Sequence, residues 1–295
     1  MFKKCFLFGP AIIFFLWVGS VPPFLPRGHP GNLGGEANPG TSAAGESELS
    51  SLLGLAANYC DKLSRAVLNF VCRERIEESF YMEGDAFTQL SGILFVDSHE
   101  ERYRYVYDYQ LVRDRAGNIR ESRTLLEEQG KKVEVPGASL KTHIFKHAYV
   151  VMGPLGLLSR NHQADFDYKI AREEKPGGEP AVVIEAVPKP GIRPDYLFGT
   201  IWLRKRDAGI LKIQWNPSSI DNYAGVEEVA RQLGMKPDIL MTSEYAFEKN
   251  DIRFPSRYTV KENYSGKLGR RFQHSQTVVT YDRYKFFTVE TEVIF

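Results

Sequence analysis

The feature that most constrains this sequence is a two-residue alternation of apolar and polar side chains that recurs from about residue 70 onwards. Its clearest example is a stripe of aromatic and apolar residues, with mostly charged or polar residues at the positions between them. The stripe consists of Tyr103, Tyr105, Tyr107, Tyr109 and Leu111. Successive side chains of a strand point to opposite faces, so the spacing predicts a strand with one dry face. A sheet of such strands must cover that face by curling and by packing helices against it.

The stretch 198–216 predicts the central hairpin of that sheet. Two runs rich in Ile, Leu and Trp flank Asp207, Ala208 and Gly209. Gly209 takes a positive φ at little cost, and Asp207 can hydrogen-bond its own backbone, so a short hairpin loop is predicted. Further strands are predicted at 71–81, 92–96, 101–113, 119–128, 165–174, 181–187, 239–248, 252–264, 270–281 and 286–295. About ten or eleven strands joined mostly by tight turns predict an antiparallel meander.

Three helical segments are predicted to accompany the strands. Apolar residues at three- and four-residue spacing indicate a helix over 48–68, with Ser47 as its N-cap. A short helix is predicted over 144–152 and is expected to stop at Gly153-Pro154. A third helix is predicted over 223–233, closed by Gly234.

The N-terminus resembles a targeting segment. Lys3 and Lys4 precede an apolar run that ends in small residues, which is the order of a secretory signal peptide over 1–20. The run is short for a bilayer span, which needs about 20 apolar residues. The alternative is an uncleaved N-terminal anchor. A Pro- and Gly-rich stretch, 21–46, predicts a flexible linker, and 47–295 a single domain. The predicted location is therefore across the cytoplasmic membrane, in the periplasm.

Cys60 and Cys72 are the cysteines of the chain after the predicted signal peptide. In an oxidising compartment such a pair is a disulfide candidate. On one unbroken helix the two would lie about 18 Å apart, so a bond requires the helix to end between them. The alternative is two buried free thiols.

No catalytic signature is found in the sequence, and the chain is expected not to be an enzyme and to carry no cofactor or metal. His143 and His147 are four apart, but Ile144 stands where a zinc protease of the His-Glu-x-x-His type has its glutamate. Nucleophile-elbow and phosphate-loop motifs do not occur. The 295 residues carry a formal net charge of +1, which does not indicate nucleic-acid binding.

Apolar and aromatic residues supply the candidate ligand site. The residues concerned are Tyr105, Tyr107, Phe145, Leu155, Leu157, Leu158, Trp202 and Trp215. The tyrosines and tryptophans would line a groove on the sheet, and the segment 153–158, broken by Gly and Pro, would act as a lid over it. Ordinary core packing explains the same residues, because aromatic residues are enriched in strands.

The order of elements, and the hairpin Phe-Gly-Thr-Ile-Trp-Leu followed by Gly-Ile-Leu-Lys, resemble the LolA/LolB-like lipoprotein carriers and their relatives. The resemblance covers roughly residues 48–295 and matches no individual functional residue. It implies an α+β, β-dominated fold: a strongly curved antiparallel sheet, an incomplete barrel, with helices packed on the concave face. The chain departs from the family in its greater length and in an insertion around 220–236.

The expected function is that of a non-enzymatic extracytoplasmic carrier or sensor that holds an apolar ligand in the concave face. Its expected partner is a lipid or an acylated protein. The alternative is an envelope structural or interaction module with a permanently filled core and an envelope protein as partner. The sequence does not define the oligomeric state.

Overall fold

The computed structural model describes residues 39–90, 93–143, 145–192, 196–219, 223–267 and 271–287. Its α-helices are α1 (Pro39–Ala66), α2 (Gly153–Leu158) and α3 (Tyr223–Leu233). Its strands are β1 (Phe70–Leu90), β2 (Ile93–Arg113), β3 (Ile119–Glu128), β4 (Lys131–Pro136), β5 (Phe166–Glu174), β6 (Ala181–Pro188), β7 (Gly199–Arg204), β8 (Ile210–Trp215), β9 (Lys236–Glu244), β10 (Phe247–Lys249), β11 (Ile252–Phe254), β12 (Arg257–Ser265) and β13 (Arg271–Phe286). The predicted signal segment and most of the predicted linker lie outside the described residues.

Eleven of these strands form one antiparallel sheet in the order β4-β3-β2-β1-β13-β12-β9-β8-β7-β6-β5. The sheet is strongly curved and does not close into a barrel, so β4 and β5 are its two edges. Strands β10 and β11 form a separate two-stranded ribbon. The predicted fold class, a β-dominated curved antiparallel sheet with few helices, is confirmed.

One face of the sheet, called here the covered face, carries the core. On β1 the buried side chains alternate with exposed or half-buried ones, and Ile76 is fully buried. On the neighbouring strands, Tyr107 of β2 and Val279 of β13 are also fully buried in the same cluster. Because β1 pairs with both strands, the alternation predicted from sequence places these side chains on one continuous surface.

Helix α1 packs into this core through one side. Its residues Ala56 and Leu63, and Val67 directly after its end, are fully buried in the same cluster as the strands. The Tyr59 hydroxyl donates to the carbonyl of Arg253, 2.7 Å away, and accepts from the Arg253 N–H at 2.9 Å. These two bonds tie α1 to the ribbon strand β11.

Helix α1 begins at Pro39, earlier than the predicted start near residue 48. The last part of the predicted linker, 39–46, is therefore helical. Proline fixes its own φ in the helical range and lacks only an N–H that the first turn leaves unpaired, so it starts a helix readily.

The second predicted helix differs from the structure. Residues 145–149 have no regular structure, Val150–Met152 form a 3-10 turn, and α2 starts at Gly153, where the predicted helix was expected to stop. Pro154 occupies the first turn of α2, the position where proline favours a helix instead of ending one. Gly153-Pro154 is thus a start signal here.

The central hairpin is confirmed as β7 and β8, with Gly199 paired to Trp215. Asp207 accepts the N–H of Gly209 at 3.0 Å, as predicted. The positive φ falls on Ala208, not on Gly209. A Cβ on Gly209 would lie 3.1 Å from Asp207 Oδ1 and 3.2 Å from a guanidinium nitrogen of Arg204, so this glycine provides space beneath that ion pair.

Two predictions near the C-terminus had different outcomes. Helix α3 has the predicted bounds, and Gly234 follows it with φ of 62°, as a helix-ending glycine does. The break predicted between the strands 270–281 and 286–295 is wrong, because β13 continues from Arg271 to Phe286. The predicted strand 286–295 lies largely outside the described residues.

None of the helices within the described ranges combines the length and the apolar character that crossing a membrane requires.

Candidate functional site on the covered face

The covered face is apolar where α2 lies on it. Val151, Leu157 and Leu158 are fully buried in the core cluster. A Cβ on Gly153 would lie 3.0 Å from the ring of Trp215, so the start of α2 rests against that indole. The Trp215 N–H donates to the Ser243 hydroxyl at 2.8 Å, which satisfies its one polar atom. Leu157, Leu158 and Trp215, all predicted site residues, therefore belong to one buried apolar region.

Two other predicted residues lie elsewhere or are less buried. Leu155 is only partly buried at the surface of the same cluster. Trp202 is outside that cluster: its N–H donates to Glu174 at 2.7 Å, and the ammonium of Lys212 lies 4.6 Å from its ring. Its strand partner Val183 is likewise absent from the cluster, whereas the adjacent Ile201 belongs to it. Trp202 thus lies on the opposite face from Trp215, and the two do not line one groove.

The tyrosine stripe of β2 lies on the covered face, as its spacing predicts. Tyr105, Tyr107 and Tyr109 are buried there, and each hydroxyl has a polar partner. The Tyr105 hydroxyl is 2.9 Å from His143 Nε2, and the Tyr107 hydroxyl accepts the N–H of Lys141 at 3.2 Å. The predicted pair Tyr105 and Tyr107 therefore forms a floor with hydrogen-bonding groups, not a purely apolar one.

A buried ion pair lies beside this stripe. Glu74 of β1 is fully buried and receives two hydrogen bonds from the Arg123 guanidinium, at 2.6 and 3.1 Å. The Tyr281 hydroxyl donates to it at 3.1 Å, and His147 Nε2 lies 3.2 Å away. Burial alone would raise the pKa of Glu74, but the bonds from His147 and Arg123 outweigh it and bring the pKa to about 2.

Two further carboxylates extend the polar region on either side. Glu121 of β3 accepts from Arg123 at 2.9 Å and from the Tyr109 hydroxyl at 3.0 Å. Glu78 of β1, 2% exposed, accepts from the Thr277 hydroxyl at 3.2 Å. Each of these carboxylates therefore has at least one partner on the sheet itself.

Residues 138–143 and 145–149, called here the strap, lie over this polar region. The N–H of His143 donates to Glu78 at 2.9 Å, and the N–H of Tyr149 donates to Glu121 at 2.6 Å. The imidazole of His147 is buried against Glu74, while Phe145, a predicted site residue, is only half-buried. The sheet thus holds the strap mainly through its carboxylates.

The two histidines of the strap have separate roles, not a shared metal site. His143 stacks on Tyr103 with ring centres 3.8 Å apart, and His147 points to Glu74. Among the residues that the structure describes, no group of three His, Cys, Asp or Glu side chains is arranged to hold a metal ion.

Cys60 and Cys72 are free thiols, both buried, so the predicted disulfide is absent from this structure. The Cys60 thiol lies 3.7 Å from the carbonyl of Pro154, at the contact between α1 and α2. Burial, with a smaller contribution from Asp61, raises the pKa of Cys60 to about 12, and burial also raises the pKa of Cys72. Both groups stay protonated near neutral pH, where a thiol is a poor nucleophile.

A cavity of about 210 Å³ lies over strands β2, β1 and β13, away from α2. Side chains of the uncovered face contribute most of its lining, among them Glu77, Arg102, Arg104 and Gln276. Its charged lining does not suit an acyl chain, which needs apolar walls.

Sequence reasoning missed the buried Glu74, Glu78 and Arg123, although a signal for the first two was present. On β1 the two glutamates alternate with Cys72 and Ile76, so the two-residue period already places them on the dry face. Charged residues are seldom fully buried unless paired, and that preference favours a surface assignment from sequence.

An open, curved antiparallel sheet with one face covered by the helices α1 and α2 and a strap is the class that this geometry defines. No family model and no curated protein matches the chain. It is similar to a solved LolA superfamily protein from Nitrosomonas europaea, with 14% identity over 80% of this chain and 93% of that one, at a TM-score of 0.33.

Two further solved structures are similar at the same level. A DUF1329 family protein from Desulfovibrio piger has 12% identity, 80% and 92% coverage of the two chains and a TM-score of 0.34. A putative outer membrane lipoprotein-sorting protein domain from Vibrio parahaemolyticus has 13% identity, 81% and 94% coverage and a TM-score of 0.35. The first and third of these neighbours bear names of the carrier group that the sequence resembles, and likeness at this level carries no argument about function.

Proposed function

We propose that this protein is a non-enzymatic, extracytoplasmic binding protein that holds an acyl chain of a lipid or of an acylated protein against the covered face. The observation that supports this function best is the nature of the cover. Apart from the bond of the Ala138 N–H to the carbonyl of Arg123, side chains take part in the contacts that hold the described residues of 138–158 on the sheet, and these residues include one six-residue helix and no strand. Such a cover can be displaced without breaking a ladder of strand hydrogen bonds.

The floor beneath the cover has the composition that an amphipathic ligand needs. Trp215 and its apolar neighbours would bury methylene groups, each stabilising the complex by about 0.8 kcal/mol. The hydroxyls of Tyr105 and Tyr107 would contact the polar end, because pockets for such ligands combine apolar walls with a few polar groups. Leu155 and Phe145, which are only half-buried, are the cover side chains that a ligand would replace at least cost.

The competing function is an interaction module with a permanently filled core. The observation in its favour is that Val151, Leu157 and Leu158 have no exposed surface, so the cover itself fills the space above that part of the sheet. In such a module the core would be inert and an exposed surface would contact an envelope protein.

Quenching of Trp215 by a brominated fatty acid separates the two functions. The double variant Trp17→Phe, Trp202→Phe keeps Trp215 as the sole indole, and dibromostearate should reduce its emission saturably while stearate does not. The matched control, Trp17→Phe with Trp215→Phe, keeps Trp202 on the opposite face and should show no quenching. Native mass spectrometry of protein purified from its own envelope should show bound lipid.

Two results would overturn the carrier in favour of the filled-core module. They are an unquenched Trp215 across the full titration and bare protein in the native mass spectra after gentle handling.

A further inference from the structure

The strap and α2 are consecutive in the chain, yet different forces hold them on the sheet. Within the described residues of 139–148, no main-chain group bonds to another main-chain group. The strap's own N–H groups go to side chains of the sheet instead: Lys141 to the Tyr107 hydroxyl, His143 to Glu78 and Tyr149 to Glu121. Its attachment is therefore a short series of polar contacts.

These contacts can break without leaving a bare charge in the sheet. Glu74 keeps its two bonds from Arg123 and one from Tyr281 when His147 leaves. Glu121 likewise keeps Arg123 and the Tyr109 hydroxyl. An unpaired buried charge is what makes the breaking of a buried ion pair costly, and Arg123 already pairs Glu74 and Glu121 within the sheet, while Glu78 keeps the Thr277 hydroxyl.

The strap also contributes little burial to the core. Its charged side chains and Tyr149 are exposed, and Leu140 and Phe145 are only partly buried. His147 is its buried side chain, and the Nδ1 atom of that ring has no hydrogen-bond partner. A buried polar atom without a partner opposes the closed state, because water would satisfy it in the open one.

The backbone marks where this weakly held segment begins and ends. Gly137 precedes it with φ of 66°, and Tyr149 closes it with φ of 53°, a conformation that residues other than glycine adopt rarely. Directly after Tyr149 the chain enters the core at Val150 and Val151. The change from polar to apolar attachment therefore coincides with an unusual backbone conformation.

We propose that the strap is a lid that opens as one unit between Gly137 and Tyr149, with Glu78, Glu121 and Glu74 as its latch, while α2 stays in the core. The proposal deepens the proposed function, because the strap would be the entry to the covered face. It also relocates the moving part from residues 153–158, the lid expected from sequence, to the segment before them.

Amide hydrogen exchange of the ligand-free protein tests the latch. Glu78→Gln weakens the anchor at His143, and a lid that opens as a unit should then exchange faster at the Tyr149 amide as well, by about tenfold for one weakened charge-assisted bond. Glu121→Gln should conversely accelerate exchange at the Lys141 and His143 amides. These distant amides are the decisive readout, since a merely local effect would be confined to the substituted contact.

Two control variants match these changes in chemistry and in strand. Glu77→Gln, on the other face of β1, and Glu127→Gln, further along β3, should leave the strap unchanged. Glu121 lies near the sheet edge, so its variant keeps the test decisive if Glu78→Gln does not fold. Exchange in Leu155–Leu158 should remain at the wild-type rate in every folded variant.

Acceleration limited to the residue that lost its bond, or equal acceleration of the strap and α2, would overturn the lid. The two experiments can also disagree. If hydrogen exchange shows that the strap opens as a unit but dibromostearate does not quench Trp215, the lid is supported and the proposed acyl-binding function is excluded.

Discussion

The half of the covered face under α2 and the half under the strap both bury one side of a large sheet, but they do so through different kinds of contact. Under α2 the contact is aliphatic and aromatic, with Leu157, Leu158 and Trp215 among its members. Under the strap it is polar, built on Glu74 and Glu78. Apolar burial is non-directional and grows with area, whereas buried polar contacts are directional and stabilise only when every group is paired. The half under α2 is therefore held by buried apolar area, whereas the half under the strap is held by a few polar contacts that can be released.

The variant Arg123→Met should destabilise the polar half of the covered face, which lies under the strap, more than any other single change. The Arg123 side chain is 6% exposed and Glu74 is fully buried, so the variant leaves a buried carboxylate without its main partner. We expect the free energy of unfolding to fall by about 4 kcal/mol, measured by urea denaturation. Arg120→Met, at an exposed position of the same strand, should change it little.

The double variant Arg123→Met, Glu74→Leu should recover most of that loss, because it removes the unpaired charge together with its partner. A single variant as stable as wild type would mean that the polar half does not depend on this ion pair.

The apolar half is tested by Leu157→Ala. This side chain has no exposed surface, so we expect a loss of about 3–4 kcal/mol from lost burial and the cavity left behind. Leu155→Ala makes the same chemical change two residues earlier, at a partly buried position, and should cost clearly less in the same urea titration. Equal losses of stability at the two positions would contradict the conclusion that buried apolar area holds α2 on the sheet.

Lowering the pH should weaken the polar half of the covered face, which contains Glu74, without affecting the apolar half under α2. The folded-state pKa of Glu74 is about 2, below the value of 4.5 for a free glutamate, so its contribution is present above about pH 4.5 and is lost as pH falls toward 2. The shift corresponds to about 3 kcal/mol. Urea midpoints measured between pH 7 and pH 2 should show this loss, and Glu74→Gln should show a correspondingly smaller one. An unchanged pH dependence in that variant would assign the acid sensitivity to other carboxylates.

Alternation predicted most of the sheet because it is a local property of the chain. The stripe from Tyr103 to Leu111 needed only the two-residue period, and the hairpin of β7 and β8 needed only its turn residues and flanking apolar runs. Gly153-Pro154 was ambiguous, because the same pair ends one helix or begins another. Only the contact of Gly153 with Trp215 distinguishes these outcomes.

The candidate site was predictable in its apolar members and not in its charged ones. Leu157, Leu158 and Trp215 are apolar, and burial follows from that chemistry. Trp202 satisfies the same criterion, but the register of β6 and β7 places it on the other face with Lys212 and Glu174.

The residue pattern by itself determined the fold class, the course of most strands and the presence of a dry face, because each depends on side chains a few positions apart. Tertiary structure alone decided which charges that face contains. Glu74 is stable there because the sheet brings Arg123 and Tyr281 within hydrogen-bond distance of it. In sequence these two partners lie 49 and 207 positions away. A buried charge depends on its partners, and no local pattern specifies partners that distant.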